Sequence, residues 1–298
     1  MKILYSLGKR HSANFQALDF LQSSQQFEIK IAAHVSCIDG YINQVDWNLD
    51  ALKYDKKVIS TIYAGIESFE PDLVIIDGEP IIAKLAHMLS VPIWSISALH
   101  LIDGVYLENG QKSKYKHAVS STRDLLSDIN PVRKFVYSPF GDLDAEPALK
   151  DSYEWISPSL PCSIINKRAA ILTDSVRKPK LARILSHTDC KFEICTPNQV
   201  STNSIVLSMG ESAIISNALE NNNYIIVVPN VMDAEAVFNA VLINEYGLGI
   251  DFGQIEHMDR YAIQLLNNVK SSLSEVKFKR KNKKIEDILK EEKNARSI

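Results

Sequence analysis

The stretch from Ile205 to Phe252 constrains the fold of this chain more than any other. An apolar run stops at Met209-Gly210, and a helical pattern follows at once, opened by Glu211-Ser212. A second apolar run ends at Val227-Val228-Pro229, and a second helical pattern leads to Gly247-Leu248-Gly249. Strand, glycine turn, helix, strand is the alternation of a parallel sheet, because parallel neighbours need a helical crossover between them. A strand that feeds a helix through a glycine points backbone N–H groups into the turn, where anions bind. Open α/β sheets also take their ligands at the carboxyl ends of their strands. The segment therefore predicts a phosphate-bearing ligand in the C-terminal half, at Gly210, Glu211 and Ser212.

The first half carries the same alternation. Strands are expected at Lys2–Leu7, Ile29–Val35, Leu73–Ile76 and Pro92–Ser97, and helices at Ser12–Ser24, Asp55–Phe69 and Pro80–Leu89. Their near-continuous apolar strands indicate a sheet covered on both faces. Residues Asp142–Pro161 change character: they are acidic and turn-like, and Pro147, Pro158 and Pro161 interrupt any helix. A domain boundary is placed near Ser157–Cys162, giving domains 1–157 and 158–298. The second restarts with a strand at Ala169–Thr173, a helix over Lys180–Ser186 and a strand at Lys191–Ile194. It ends in a charged, helix-prone tail, Lys277–Ile298.

Composition narrows the function classes. The chain is 46% apolar, enough for cores in both domains, and its 33 basic and 36 acidic residues leave a net charge of −3. That balance weighs against a protein built mainly to bind nucleic acid. Cys37, Cys162, Cys190 and Cys195 form no Cys-x-x-Cys pair and no zinc-finger spacing. No metal site is expected. Scattered cysteines, with no signal-peptide core at the start, fit a reducing cytoplasm. No run approaches the ~20 apolar residues that span a bilayer.

The Ile205–Phe252 segment resembles the donor-binding signature of GT-B glycosyltransferases. It is most similar to the inverting group that contains the bacterial enzyme adding N-acetylglucosamine to the lipid-linked peptidoglycan precursor, together with uncharacterised relatives. Met209-Gly210 stands for that signature's glycine pair, Asn217-Ala218-Leu219 for Glu-Ala-Leu, and Glu235-Ala236 for Glu-Gln; Asn239-Ala240 and Gly247-Leu248-Gly249 match outright. Three positions depart: one glycine is missing, the helix glutamate is Asn217, and the glutamine is Ala236. A second patch, Pro71–Pro80 with Val91-Pro92-Ile93 and His100 after it, is similar to a run in the uncharacterised branch.

The resemblance implies two Rossmann-like domains with parallel sheets facing across a cleft, an acceptor domain followed by a nucleotide-sugar domain. It implies transfer of a sugar from a nucleotide-diphosphate donor, UDP-sugar favoured, to an acceptor hydroxyl with inversion. The expected acceptor is a glycan or a lipid-linked molecule. No cofactor is expected besides the donor. A nucleotide-sugar epimerase of the same fold and a non-catalytic nucleotide-sugar-binding protein are the alternatives. A nucleic-acid acceptor is weighed against by the net charge.

Each candidate residue has a plainer role beside the functional one. His11, in the loop after the first strand, matches a family histidine near the acceptor and would take the hydroxyl proton, since imidazole titrates in the useful range. Otherwise it belongs to a solvated loop with Ser12 as helix cap. Asp77 and Glu79 close a strand and open a helix. Either can orient His11 or act as the base, yet acidic residues favour helix N-termini for the dipole alone. His100 follows the next strand and reads first as a core-edge histidine.

In the second domain the resemblance puts Thr173 and Ser175 at the phosphates, Asn217 at the ribose, and Glu235 and Asn239 at the sugar. The last two lie four apart on one helix face. Asp174 and Glu211 would repel a pyrophosphate, with Arg177 and Lys178 to compensate. The basic cluster Lys277, Lys279, Arg280, Lys281, Lys283 and Lys284 is a solvated tail or a peripheral contact with anionic lipid at the inner face of the membrane.

Overall fold

A computed structural model describes residues 1–8, 21, 24–35, 45–50, 56–97, 100, 102, 120, 129–140, 153–156, 163–165, 169–171, 178–187, 191–195, 199–201, 205–229, 233–253 and 285–296. The chain divides into two compact units, Met1–Ser157 with Asn282–Ile298, and Pro158–Lys281.

In the first unit, strand β1 (Lys2–Leu7) lies inside a seven-stranded sheet with β2 (Glu28–Ala33), β3 (Trp47–Asn48), β4 (Leu73–Asp77), β5 (Ile93–Ser97), β6 (Arg133–Tyr137) and β7 (Glu154–Ile156). The order is β3-β2-β1-β4-β5-β6-β7 and every pairing is parallel. This is a doubly wound sheet, whose strand order reverses between β1 and β4. Side chains alternate between the faces. Leu4, Val74, Ile76 and Ile93 pack on α1 (Lys56–Phe69) and α2 (Pro80–Met88) through Ile62, Ile66, Ile82 and Ala86. Ile3, Tyr5, Ile75, Trp94 and Phe135 fill the other face.

The second unit holds a five-stranded parallel sheet. Its strands are β9 (Ala169–Ile171), β10 (Glu193–Cys195), β12 (Ile205–Ser208), β13 (Tyr224–Val227) and β14 (Gly249–Asp251), in the order β10-β9-β12-β13-β14. A separate parallel pair joins β8 (Ser163–Ile165) to β11 (Gln199–Ser201). The five-stranded order reverses between β9 and β12, the second doubly wound arrangement that binds ligands at its switch point. Helices α3 (Lys178–Leu185), α4 (Ser212–Glu220) and α5 (Ala234–Glu245) serve this unit. Leu181, Leu185, Ile205, Leu207, Met209 and Ile226 share one core.

Strands β3, β6, β8 and β11 are additions to the sequence expectation, and two further features differ from it. Strand β7 falls inside the segment read as turn-like. It is short, and tertiary partners hold it: Phe135 to Tyr137 pair with Glu154 to Ile156, and Arg133 donates to both carboxylate oxygens of Glu154 at 2.5 and 2.6 Å. The C-terminal helix α6 (Ile285–Arg296), expected in the second domain, belongs instead to the first unit. Ile285, Ile288 and Leu289 form an apolar stripe at helical spacing and join the core of Trp94 and Phe135. Glu292 adds an ion pair to Arg133 at 3.7 Å. No helix among the described residues is long and apolar enough to cross a membrane.

Leu289 is wholly buried on that stripe. Leu289→Ala is expected to cost about 2–5 kcal/mol through lost burial and the cavity left behind. Urea denaturation followed by tryptophan fluorescence checks this; a change under 1 kcal/mol, roughly the scale of an exposed site, would remove α6 from the core.

Candidate functional site

The second unit builds its candidate site on β12. All four strand residues are buried, and the chain then turns through Gly210 at φ 103°. That conformation favours glycine. A Cβ there would also lie 2.7 Å from Cα and O of Ala236, so the first turn of α5 leaves no room for a side chain. Ser208 ties the turn together: its Oγ accepts from the Gly210 N–H at 2.9 Å and donates to Glu211 Oε2 at 3.2 Å.

Helix α5 reaches across to the same turn. Asp233 caps it, accepting from the N–H groups of Glu235 and Ala236. Asn239, wholly buried, donates from Nδ2 to the Gly210 carbonyl at 2.8 Å and to Ser212 Oγ at 3.0 Å. Glu235 Oε1 accepts from the Ser212 N–H at 3.2 Å. An amide at the start of α4, expected to meet phosphate, is thus held by the protein's own carboxyl group.

Three acidic residues share this space. Burial pushes the Glu211 carboxyl up to about 7, with repulsion from Asp233 adding to it. Burial likewise pushes Glu235 up to about 8, with Asp233 and Glu211 adding. Asn217 is buried within α4, and its backbone carbonyl accepts from Asn221 Nδ2 at 2.8 Å. Of the sequence-predicted residues, Gly210, Glu211, Ser212, Glu235 and Asn239 converge on this turn. Thr173 and Ser175 lie outside the described residues, as does the basic cluster Lys277–Lys284.

The first unit presents a second edge. Gly8 follows β1, and its N–H donates to the Asp77 carbonyl at 2.8 Å; a Cβ on it would meet the Gly78 carbonyl oxygen at 2.7 Å. Asp77 and Glu79 are both buried. Glu79 caps α2, Oε1 accepting from the Ile81 N–H at 2.9 Å. Its Oε2 lies 3.0 Å from Nε2 of His34, whose Nδ1 is 3.5 Å from Asp50 Oδ1. His34 is absent from the sequence expectation, which runs the second strand through it to Val35. The signal was its place: Ala33 pairs with Leu7, and Leu7 with Asp77, so residue 34 leaves the sheet beside Gly8 and Gly78. His11 lies outside the described residues.

His100 belongs to the core. It is buried, within 3.1 Å of Ser95 Oγ and against the Tyr153 ring. Burial, helped by Lys134, lowers its pKa to about 3, so the ring stays neutral at physiological pH.

No known protein-family profile matches the chain, and no curated protein matches its sequence. Solved structures do match in fold. Spinosyn forosaminyltransferase SpnP aligns at 13% identity and TM-score 0.56, covering 90% of this chain and 91% of that one. Spinosyn rhamnosyltransferase SpnG complexed with thymidine diphosphate aligns at 15% identity and TM-score 0.52, over 89% and 88% of the two chains. UDP-GlcNAc 2-epimerase from Neisseria meningitidis, bound to UDP-GlcNAc, aligns at 14% and TM-score 0.56, over 99% of this chain and 100% of that one.

The chain has the GT-B fold. At such identities the likeness is one of architecture. Two doubly wound units, each with a parallel sheet, carry it. Within this GT-B chain both candidate edges lie at strand carboxyl ends, where the strand order permits a ligand crevice.

The raised carboxyl at position 235 has a measurable sign. The native state holds its proton to higher pH than the unfolded chain does, so stability falls as pH rises from about 4.5 to 8. Glutamine mimics the protonated form. Glu235→Gln is therefore expected to gain on the wild type progressively between pH 5 and about 8 in thermal melts. A constant gap across that range would mean that Glu235 titrates normally.

Proposed function

We propose that this chain is a glycosyltransferase that moves a sugar from a nucleotide-diphosphate donor to an acceptor hydroxyl with inversion. The observation that carries the reading is the strand–glycine–helix turn at Gly210, set at the switch point of the second sheet. The N-terminal end of α4 is positive and suits a diphosphate. Fold-sharing structures whose names specify glycosyl transfer, one with thymidine diphosphate, support the same class. The similarity of the signature to the inverting peptidoglycan-precursor group favours UDP and a glycan or lipid-linked acceptor. It also favours a cytoplasmic protein working at the inner face of the membrane, with Lys277–Lys284 as its lipid contact.

In the reaction the acceptor oxygen attacks C1 of the sugar on the face opposite the nucleotide. The C1–O bond to the diphosphate breaks, and the electron pair leaves with the nucleoside diphosphate. The acceptor proton goes to His11, the proposed base. Thr173, Ser175 and the turn at Gly210–Ser212 serve the phosphates and Asn217 the ribose; Glu235 and Asn239, expected at the sugar, are engaged with the turn itself and shape it. Glu79 is engaged at both oxygens, by the Ile81 N–H and by His34, which suits a residue that shapes the acceptor edge. Asp77 stands beside Gly8 on that edge.

One observation favours a second reading. The epimerase alignment extends over nearly the whole of both chains. An epimerase would return an isomeric nucleotide sugar, whereas a transferase releases nucleoside diphosphate only with acceptor present. Incubation with a panel of UDP-sugars, with and without glycan and polyprenyl-phosphate-linked acceptors, separates the two by chromatography. Acceptor-dependent UDP release is expected. His11→Ala is expected to lower that rate by roughly a hundredfold or more. Calorimetric affinity for UDP should stay unchanged, because His11 is in the other unit. Turnover near the wild-type rate would move the base to Asp77; binding without any turnover would leave a nucleotide-sugar-binding protein.

A further inference from the structure

An anion-binding helix start offers free N–H groups. At the one described here, two N–H groups are already engaged. The Ser212 N–H is taken by Glu235 Oε1, and the Gly210 N–H by Ser208 Oγ. Glu211, the cap residue of α4, makes no side-chain cap bond, and its carboxyl group turns back to Ser208. A dianionic diphosphate arriving at this turn would meet a carboxyl group at Ser212 and two more, Glu211 and Asp233, beside it. Those two are the charged groups that bear on Glu235 among the described residues.

A second observation lies in the same turn. Asn239 is wholly buried and spends Nδ2 on Gly210 and Ser212, which fixes the orientation of its amide because the Gly210 carbonyl can only accept. Among the described residues, Oδ1 of that planar amide has no hydrogen-bond partner. Such an atom, buried at the turn, calls for a donor. Glu235 lies one helical turn earlier on the same face, at the spacing where side chains meet. A carboxylate cannot donate to an amide oxygen; a protonated carboxyl group can.

Resting on the proposed donor site, we propose that Glu235 is a built-in competitor for the donor diphosphate. Its carboxyl group holds the Ser212 N–H that the phosphate must take. The diphosphate binds when Glu235 carries a proton, leaves Ser212 and donates to Asn239 Oδ1. Donor binding is thereby coupled to uptake or retention of one proton. Two effects run in the same direction. A neutral carboxyl group releases the N–H more readily, since charge-assisted hydrogen bonds are about twice as strong as neutral ones. It also removes a negative charge from beside the phosphates.

The test is calorimetric titration of the full chain with UDP from pH 7 to 9. A carboxyl group titrating at about 8 makes the wild-type dissociation constant rise about tenfold over that range. Glu235→Gln should match the wild type at pH 7 and show a clearly smaller rise, the part left to Glu211. Ionisation of UDP itself is common to both proteins. Proton uptake, read from wild-type titrations at pH 9 in two buffers of different ionisation enthalpy, should approach one per UDP. That measurement decides the matter without a variant if Glu235→Gln does not fold.

A flat wild-type profile with no proton uptake would overturn the coupling while leaving the donor site standing. An equal slope in wild type and Glu235→Gln would overturn the assignment to Glu235. No UDP binding at any pH, by folded wild-type protein, would overturn the underlying donor reading and this proposal with it.

Discussion

The ladder between β1 and β4, running from Ile3 opposite Leu73 to Leu7 opposite Asp77, organises the first unit. A parallel ladder satisfies backbone groups only if each strand enters from the same side, so every connection crosses over a face. Both faces are then buried, and every strand delivers its last residue to one edge. Gly8, His34 and the Asp77–Glu79 pair, far apart from one another along the chain, sit together for that reason. The second unit repeats the constraint with β9 and β12, where Ala169 stands opposite Val206. Polar groups collect at these edges because the rest of each sheet offers them no water and no vacant partner.

The central strands of both sheets were legible in the sequence because they are mostly apolar, whereas Arg133–Tyr137, with two basic residues at its start, was not read as a strand. Leu73–Asp77 and Ile205–Ser208 are buried at every position, and each is followed by a glycine or an acid that marks the turn. Strand β7 was not legible. Glu154-Trp155-Ile156 has no pattern of its own and exists because Arg133 and β6 hold it. The C-terminal helix was legible as a helix, though not as part of the first unit. Its stripe of Ile285, Ile288 and Leu289 says that something covers it, and periodicity does not say what.

The candidate sites divide along the same line. Gly210, Glu235 and Asn239 were readable as a group, since two lie on one helix face and the third follows β12 in the same signature. Their bonding was not. Spacing alone cannot reveal that Glu235 crosses between helices to the Ser212 N–H, or that Asn239 faces inward on the Gly210 carbonyl. His34 escaped notice because a histidine at a strand end carries no local signal; only the parallel register brings it to Glu79. Ala236 gains a physical reason. Its backbone and Cβ close on Gly210, so a small side chain sits where two helices and a turn converge.

The return of α6 to the first unit has a consequence for synthesis. The chain leaves that unit at Ser157 and re-enters it at Asn282, so the second unit is a contiguous segment and the first is not. On a ribosome the second unit has its whole sequence available before α6 is made. Until those final residues emerge, the face carrying Trp94 and Phe135 lacks part of its cover. The first unit thus begins ahead of the second in the chain and is completed only after it. Cleavage just ahead of Ile285 would therefore be felt in the sheet that holds Trp94 and Phe135.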